Sequence, residues 1–153
     1  MGRKNNRKKY VYSDFEKYLP TARMPTPKRG EVWFADLGSH PDSSVQGGCR
    51  PVIIISNNIG NTHADTVNVV PMTRHLKKPE LSCHTKIDPA DITDKRQFFE
   101  TSMALAEQVT TISKYALRNY VGTIIDSSVM SAIDTAILSQ LGIKEDLKCQ
   151  SIS

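Results

Sequence analysis

The segment best suited to chemistry is residues 38–50 (GSHPDSSVQGGCR), too polar and Gly-rich to pack as an element and long for a hairpin connection. Connections of that kind in a compact domain are usually functional. This one ends on Arg50, with Pro51 fixing the chain direction behind it. An arginine at that position has two readings. As a solvated surface cation it follows the ordinary fate of the residue type. Held by Pro51 and by a loop that Gly47-Gly48 allows to close, it is instead a rigid, permanently charged fork for a phosphate. The second candidate is Thr73-Arg74-His75-Leu76-Lys77-Lys78, a hydroxyl followed by four basic or titratable side chains. It suits an anion-binding lip, although taken alone the segment reads first as an ordinary solvated turn.

Other chemistries find little support. His40, His63, His75 and His84 are scattered, and the Cys83-His84 adjacency lacks zinc-ligand spacing, so no metal is expected. Neither GxGxxG nor GxxxxGK occurs, so no nucleotide cofactor is expected either. Cys49 beside Arg50 has a neighbour that would activate a thiol, although a small apolar filler is its default role. No nucleophile-elbow sequence points to a Ser/His/Asp triad.

The elements that position these residues read as short strands. Residues 31–37 (EVWFADL) are aromatic and β-prone, and residues 51–56 (PVIIIS) form a β-branched run that predicts a strand buried on both faces. Residues 66–73 (TVNVVPMT) alternate, with Pro71 predicting an edge or a bulge. Weaker strands are expected at 82–87, 102–112 and 120–126. Residues 127–141 (SSVMSAIDTAILSQL) read as a helix capped by Ser127 or Ser128 and stopped by Gly142. Its stripe of Val129, Ile133, Ala136, Ile137 and Leu141 would lie on the sheet. The expected fold is mainly β with a C-terminal helix, a small twisted barrel or sandwich.

The chain has 153 residues, a size for one domain with its own core. Its charge of +4 is unevenly placed. Residues 1–30 hold nine Lys/Arg and two Asp/Glu, leaving eleven against fourteen in residues 31–153. The basicity therefore belongs to an N-terminal extension, residues 1–27, and the remaining domain, residues 28–153, is mildly acidic. Residues 1–9 are too polar to bury a core, and Pro20, Pro25 and Pro27 mark a linker. No apolar run approaches the roughly 18 residues of a membrane span, and the basic start lacks the apolar stretch of a secretory signal. Three cysteines without a CxxC pair cannot all be bonded within one chain. A cytoplasmic protein with a polyanion as partner is the expectation.

The blocks together resemble a known family. Residues 29–37 (RGEVWFADL), 46–57 (QGGCRPVIIISN), 58–61 (NIGN), 69–73 (VVPMT) and 107–112 (EQVTTI) are similar, in order, to the MazF/PemK-type toxins across about residues 28–126. The resemblance implies an SH3-like β-barrel with a C-terminal helix, usually a homodimer. It implies sequence-specific, metal-independent cleavage of single-stranded RNA, restrained by a cognate antitoxin. The family's catalytic arginine maps onto Arg50 and its catalytic threonine onto Thr73. Its RNA-contacting positions map onto Ser44, Gln46, Gly47 and the strand glutamine Gln108, and Arg74 is a further candidate for RNA.

Two positions depart from the family pattern. Val45 stands where many relatives carry an acidic residue, so a carboxylate base there is missing; Asp42, His40 and His75 are the possible stand-ins. Thr110 stands where relatives often have arginine. The same small barrel also serves toxins that bind a protein target such as DNA gyrase, and the basic extension suits a nucleic-acid-binding regulator. The Arg50–Thr73 pair favours the nuclease, because a protein-binding module has no need of it.

Overall fold

A computed structural model describes residues 24–76 and 78–144. The expectations for residues 1–23, for Lys77 and for Cys149 lie outside the described residues. The architecture is built around the run predicted to be buried on both faces. β2 (Cys49–Ile54) carries Ile53 into one core, with Val32, Val70, Met72, Val121 and Ile133. Its neighbours Val52 and Ile54 enter a second core, with Ala35, Val67, Val69 and Leu117. Successive side chains of a strand point to opposite faces, so a continuous β-branched run feeds both. Each such side chain, fully buried, contributes about 1.5–3 kcal/mol of transfer free energy.

β1 (Glu31–Asp36) lies antiparallel to β2, with Val32 opposite Ile53 and Ala35 opposite Arg50. β3 (Thr66–Thr73) lies on the other side of β2, with Val52 opposite Pro71. β4 (His84–Ile87), β5 (Ser102–Leu105), β6 (Thr110–Ser113) and β7 (Leu117–Thr123) complete a seven-stranded sheet. The path runs β4-β5-β3-β2-β1-β7, with β6 paired to β3. Among the described residues no ladder closes β4 on β7, and an isolated bridge joins Thr93 to Thr123. α1 (Asn58–His63) follows β2 and α2 (Ser127–Leu141) follows β7.

Gly30 makes the entry to β1 possible. Its φ is +89°, and a Cβ there would sit 2.9 Å from the Ile124 carbonyl oxygen. Only glycine tolerates both. Its N–H donates to the Ile54 carbonyl at 2.8 Å and its carbonyl accepts from the Ile124 N–H at 2.9 Å, tying the entry of β1 to β2 and to the segment after β7. Arg29, just before, donates to the Ile55 carbonyl and to Asp134 of α2.

Local differences from the sequence reading have local causes. Pro71 is in a central strand, but it falls where β3 stops pairing with β2 and takes up β5 at Met72, so its missing N–H is needed least there. The expected strand 102–112 is broken by a 3₁₀ turn (Ala106–Gln108), held by the Ala106 N–H to the Cys83 carbonyl at 2.9 Å. Glu107 and Gln108 thus stand on a turn, not a strand. Residues 58–61, one of the blocks of the resemblance, lie in the short helix α1, capped by the Asn57 side chain on the Gly60 N–H at 2.8 Å. α2 has the predicted bounds, with Gly142 at φ +68° closing it, but Asp126 caps it, accepting from the Ser128 N–H at 2.8 Å. Ile133 and Ala136 are buried, and Val129 and Ile137 pack beside them, whereas Leu141 is 56% exposed. The stripe leaves the sheet before the helix ends. Among the described residues no helix is long and apolar enough to cross a membrane.

Candidate active site

The β1–β2 ladder fixes the backbone of Arg50 opposite Ala35. Its side chain is not simply solvated. Nε donates to the Gly47 carbonyl at 2.7 Å, which leaves both terminal nitrogens as donors for a ligand. The loop that supplies this carbonyl closes at its base: Gly48 N–H donates to Gly38 at 2.8 Å and Leu37 N–H to Gly48 at 2.9 Å. Gly38 and Gly48 take φ values of +77° and +73° there, which explains the glycines flanking this loop. Cys49 is exposed on the outgoing strand, so it is no core filler.

Thr73 ends β3 opposite Met103 of β5. Its Oγ1 accepts the His75 N–H at 3.2 Å, a local turn that brings His75 back towards Thr73. The result is a cavity of about 560 Å³ bounded by Gly47, Arg50, Thr73, Arg74, His75 and Phe98. Arg74 also reaches Glu100 at 3.0 Å, with both side chains largely exposed. Such a pair contributes about 0–1 kcal/mol, so a phosphate displaces it at little cost.

The remaining candidates form a second cluster joined to the first through Gly47. Gln108 accepts the Gln46 N–H on Oε1 and donates from Nε2 to the Ser44 carbonyl, each at 3.2 Å. One amide therefore pins two residues of the loop. Gln46 Oε1 is shut off from solvent without a hydrogen-bond partner among the described residues. Of the three stand-ins for a carboxylate base, only His75 borders the cavity. His40 turns its Nε2 to the Leu37 carbonyl at 2.9 Å, and Asp42 is exposed on the loop with φ +58°. Val45 is itself 53% exposed.

Phe98 and Glu100 were not foreseen. Phe99 is buried in the core, while Phe98, one residue earlier, is 81% exposed at the cavity rim. The signal available was two adjacent phenylalanines inside the polar stretch KRQFFE, which a strand or helix face cannot both bury.

The mainly β sheet followed by a C-terminal helix is the fold the resemblance implies, and the sequence comparison decides the family. The profile of PemK-like, MazF-like toxins of type II toxin–antitoxin systems matches residues 28–141. The chain belongs to this family. It is 40% identical over 117 residues to the endoribonuclease EndoA of Bacillus subtilis (strain 168), covering 76% of this chain and 95% of that protein. An endoribonuclease from a mycobacterial species superposes with a TM-score of 0.63 at 26% identity, covering 80% of this chain and 97% of the other. A mycobacterial endoribonuclease in complex with its cognate antitoxin superposes at 0.61 with 27% identity, over 78% of this chain and 98% of that one. The MazF of Deinococcus radiodurans, 18% identical, shares the fold with a TM-score of 0.62 over 77% of this chain and 98% of that chain.

Proposed function

We propose that this chain is a cytoplasmic endoribonuclease toxin that cuts single-stranded RNA at a preferred sequence, works as a homodimer and is neutralised by a cognate antitoxin. The observation that carries the reading is the tethered Arg50 fork sharing one cavity with Thr73 and His75. Kinship with a protein named as an endoribonuclease, and with a mycobacterial endoribonuclease seen with its antitoxin, supports it.

The reaction this site suits uses the RNA's own 2′-hydroxyl as nucleophile. A bond forms from the 2′-oxygen to phosphorus and the bond to the 5′-oxygen breaks, leaving a 2′,3′-cyclic phosphate and a 5′-hydroxyl. The 2′-hydroxyl proton leaves to a base and the departing 5′-oxygen gains one. Charge grows on the phosphoryl oxygens between these events. The terminal nitrogens of Arg50 meet that charge, with Gly47 holding the fork so that little reorganisation is needed. The Thr73 hydroxyl, already oriented by the His75 N–H, donates to a non-bridging oxygen. His75 takes the 2′-hydroxyl proton, standing in for the carboxylate that Val45 lacks. Arg74 binds a neighbouring phosphate.

Unpaired bases need surfaces for stacking and edges for readout. Phe98 offers an exposed ring at the rim for a base to stack on. Ser44, Gln46 and Gly47 present the loop edge, and Gln108 keeps that edge in place. Purified protein incubated with a long unstructured RNA in EDTA should give discrete fragments, and Arg50→Ala should give none. Intact RNA with the unaltered protein, its fold verified by circular dichroism, refutes the reading.

A further inference from the structure

Cys83, His84 and Glu107 place a sulfur, an imidazole nitrogen and a carboxylate oxygen all within 4.8 Å of one another. None of the three borders the Arg50–Thr73 cavity. The sequence argued against a metal because Cys83 and His84 are neighbours with no second pair at zinc spacing. The fold supplies the third group from 23 residues further on. The two segments are locked together by the Ala106 N–H bond to Cys83 and by the pairing of His84 with Leu105.

The hydrogen positions at His84 are informative. Nδ1 lies 3.0 Å from the Lys78 carbonyl, which only accepts, so Nδ1 carries the hydrogen. Nε2 lies 2.8 Å from Glu107 Oε1. In the neutral ring that contact would set a nitrogen lone pair against a carboxylate oxygen. A proton, on the ring or on the carboxyl, or a metal ion must lie between them. The second oxygen, Glu107 Oε2, is shielded from solvent and has no hydrogen-bond partner among the described residues. A proton on Nε2 leaves that oxygen unsatisfied, at a cost of about 1–3 kcal/mol. A metal ion bound between the three groups serves both oxygens' charge and the sulfur together.

We propose that Cys83, His84 and Glu107 form a site for a divalent, borderline-soft cation of the zinc class, with water as the fourth ligand. A thiolate, a neutral imidazole and a carboxylate carry two negative charges between them, matching the ion and favouring zinc or cobalt over magnesium or calcium. Tetrahedral coordination at about 2.0–2.3 Å sets ligand atoms about 3.2–3.8 Å apart, so the 2.8 Å Nε2–Oε1 contact must open by about 0.5 Å while the three atoms stay within their 4.8 Å span. The Nδ1 bond to Lys78 already gives the ring the outer partner that a metal-bound histidine requires. Glu107 is 29% exposed, which leaves an open side for water, while His84 is 8% exposed. Burial, and then a side-chain hydrogen bond to Glu107, pushes the Cys83 thiol up, so metal binding must displace the thiol proton. The ion would clip β4 to the turn that carries Gln108, a structural role separate from RNA cleavage.

The test is a cobalt titration of the full chain, stripped with EDTA and kept reduced. One cobalt ion per chain should bind, with tetrahedral visible bands and a sulfur-to-cobalt charge-transfer band, and zinc should displace it. Cys83→Ser should remove the charge-transfer band and weaken zinc binding by about 10–100-fold or more. Glu107→Gln should weaken zinc by a similar factor, and Cys49→Ser should change neither property. No stoichiometric uptake, or a charge-transfer band that survives Cys83→Ser, overturns the site. So does nitrogen NMR showing both ring hydrogens of His84 retained at saturating zinc. These readouts do not involve RNA, so they stand or fall apart from the nuclease.

Discussion

Replacing Arg50 with lysine separates a positioned fork from a simple positive charge. Lysine keeps the charge but cannot both hold the Gly47 carbonyl and present two nitrogens to a phosphate. The tether is a charge-assisted hydrogen bond, worth about 1.5–3 kcal/mol, and its loss frees the cation to wander from the reacting phosphate. At about 1.4 kcal/mol per factor of ten, that alone lowers the rate about 10–100-fold. Loss of bidentate contact to the transition state adds to it, since removing one preorganised donor typically costs about 10²–10³ in kcat. Arg50→Lys should therefore fall to within about tenfold of Arg50→Ala. The assay is single-turnover cleavage of a short labelled RNA at saturating protein, which reads the chemical step without binding. If Arg50→Lys keeps more than about a third of the wild-type rate, charge alone is sufficient and the reasoning from the Gly47 tether is wrong.

Further expectations follow from the same geometry. Gln108→Ala removes two hydrogen bonds of 3.2 Å to the loop, about 1–2 kcal/mol in total, so kcat/KM should drop about 5–30-fold; an unchanged value on the preferred RNA would mean the loop needs no such anchor. Phe98→Ala should raise KM by the equivalent of about 1–3 kcal/mol through lost base stacking, with kcat little altered, and an unchanged KM removes Phe98 from the interface. Deleting residues 1–27, which carry seven Lys/Arg, should flatten the salt dependence of RNA binding by about 0.7 in log–log slope per lost phosphate contact. The cleavage pattern should survive that deletion, and a lost or altered pattern would place sequence readout in the extension. Asp126 is held below the usual aspartate range by the Ser128 hydroxyl and then by the Ser128 backbone N–H. Its stabilisation is present above the ordinary aspartate pKa and is lost as pH falls through the depressed folded value. Thermal unfolding of Asp126→Ala should therefore lose less stability than wild type between about pH 5 and pH 2, and parallel curves would contradict the cap.

The parts of the fold governed by one dominant local force were legible in the sequence. Residues 51–56 suggested a strand buried on both faces from their β-branched run, and β2 covers Cys49–Ile54 of that region with Val52, Ile53 and Ile54 buried. The helix at 127–141 was equally plain, with Gly142 to stop it. Features decided by tertiary hydrogen bonds were not. The break at Ala106–Gln108 depends on the Cys83 carbonyl, which sits on another strand. The cap at Asp126 won over Ser127 and Ser128 because the carboxylate accepts both the Ser128 N–H and its hydroxyl.

The candidate site divides in the same way. Loop length and composition singled out Arg50, but composition alone favoured a solvated cation over a phosphate fork. The bond to Gly47 distinguishes them, and it exists only once Gly38 and Gly48 have closed the loop. Ranking the stand-in bases also needed the fold, since His40 and His75 are alike in type and only the latter borders the cavity. Cys83, His84 and Glu107 show the opposite failure: spacing along the chain spoke against a cluster that antiparallel pairing assembles. Sequence spacing predicts ligands that share an element better than ligands that meet across two.

The most direct measurement is sequencing of RNA ends after brief exposure of a long single-stranded RNA to the protein in EDTA. The account predicts a small set of recurring cut sites, 5′-hydroxyl groups on the downstream fragments, 2′,3′-cyclic phosphates on the upstream ones, and no such ends with Arg50→Ala. Ends carrying 5′-phosphates, or the same ends produced by Arg50→Ala, would contradict it.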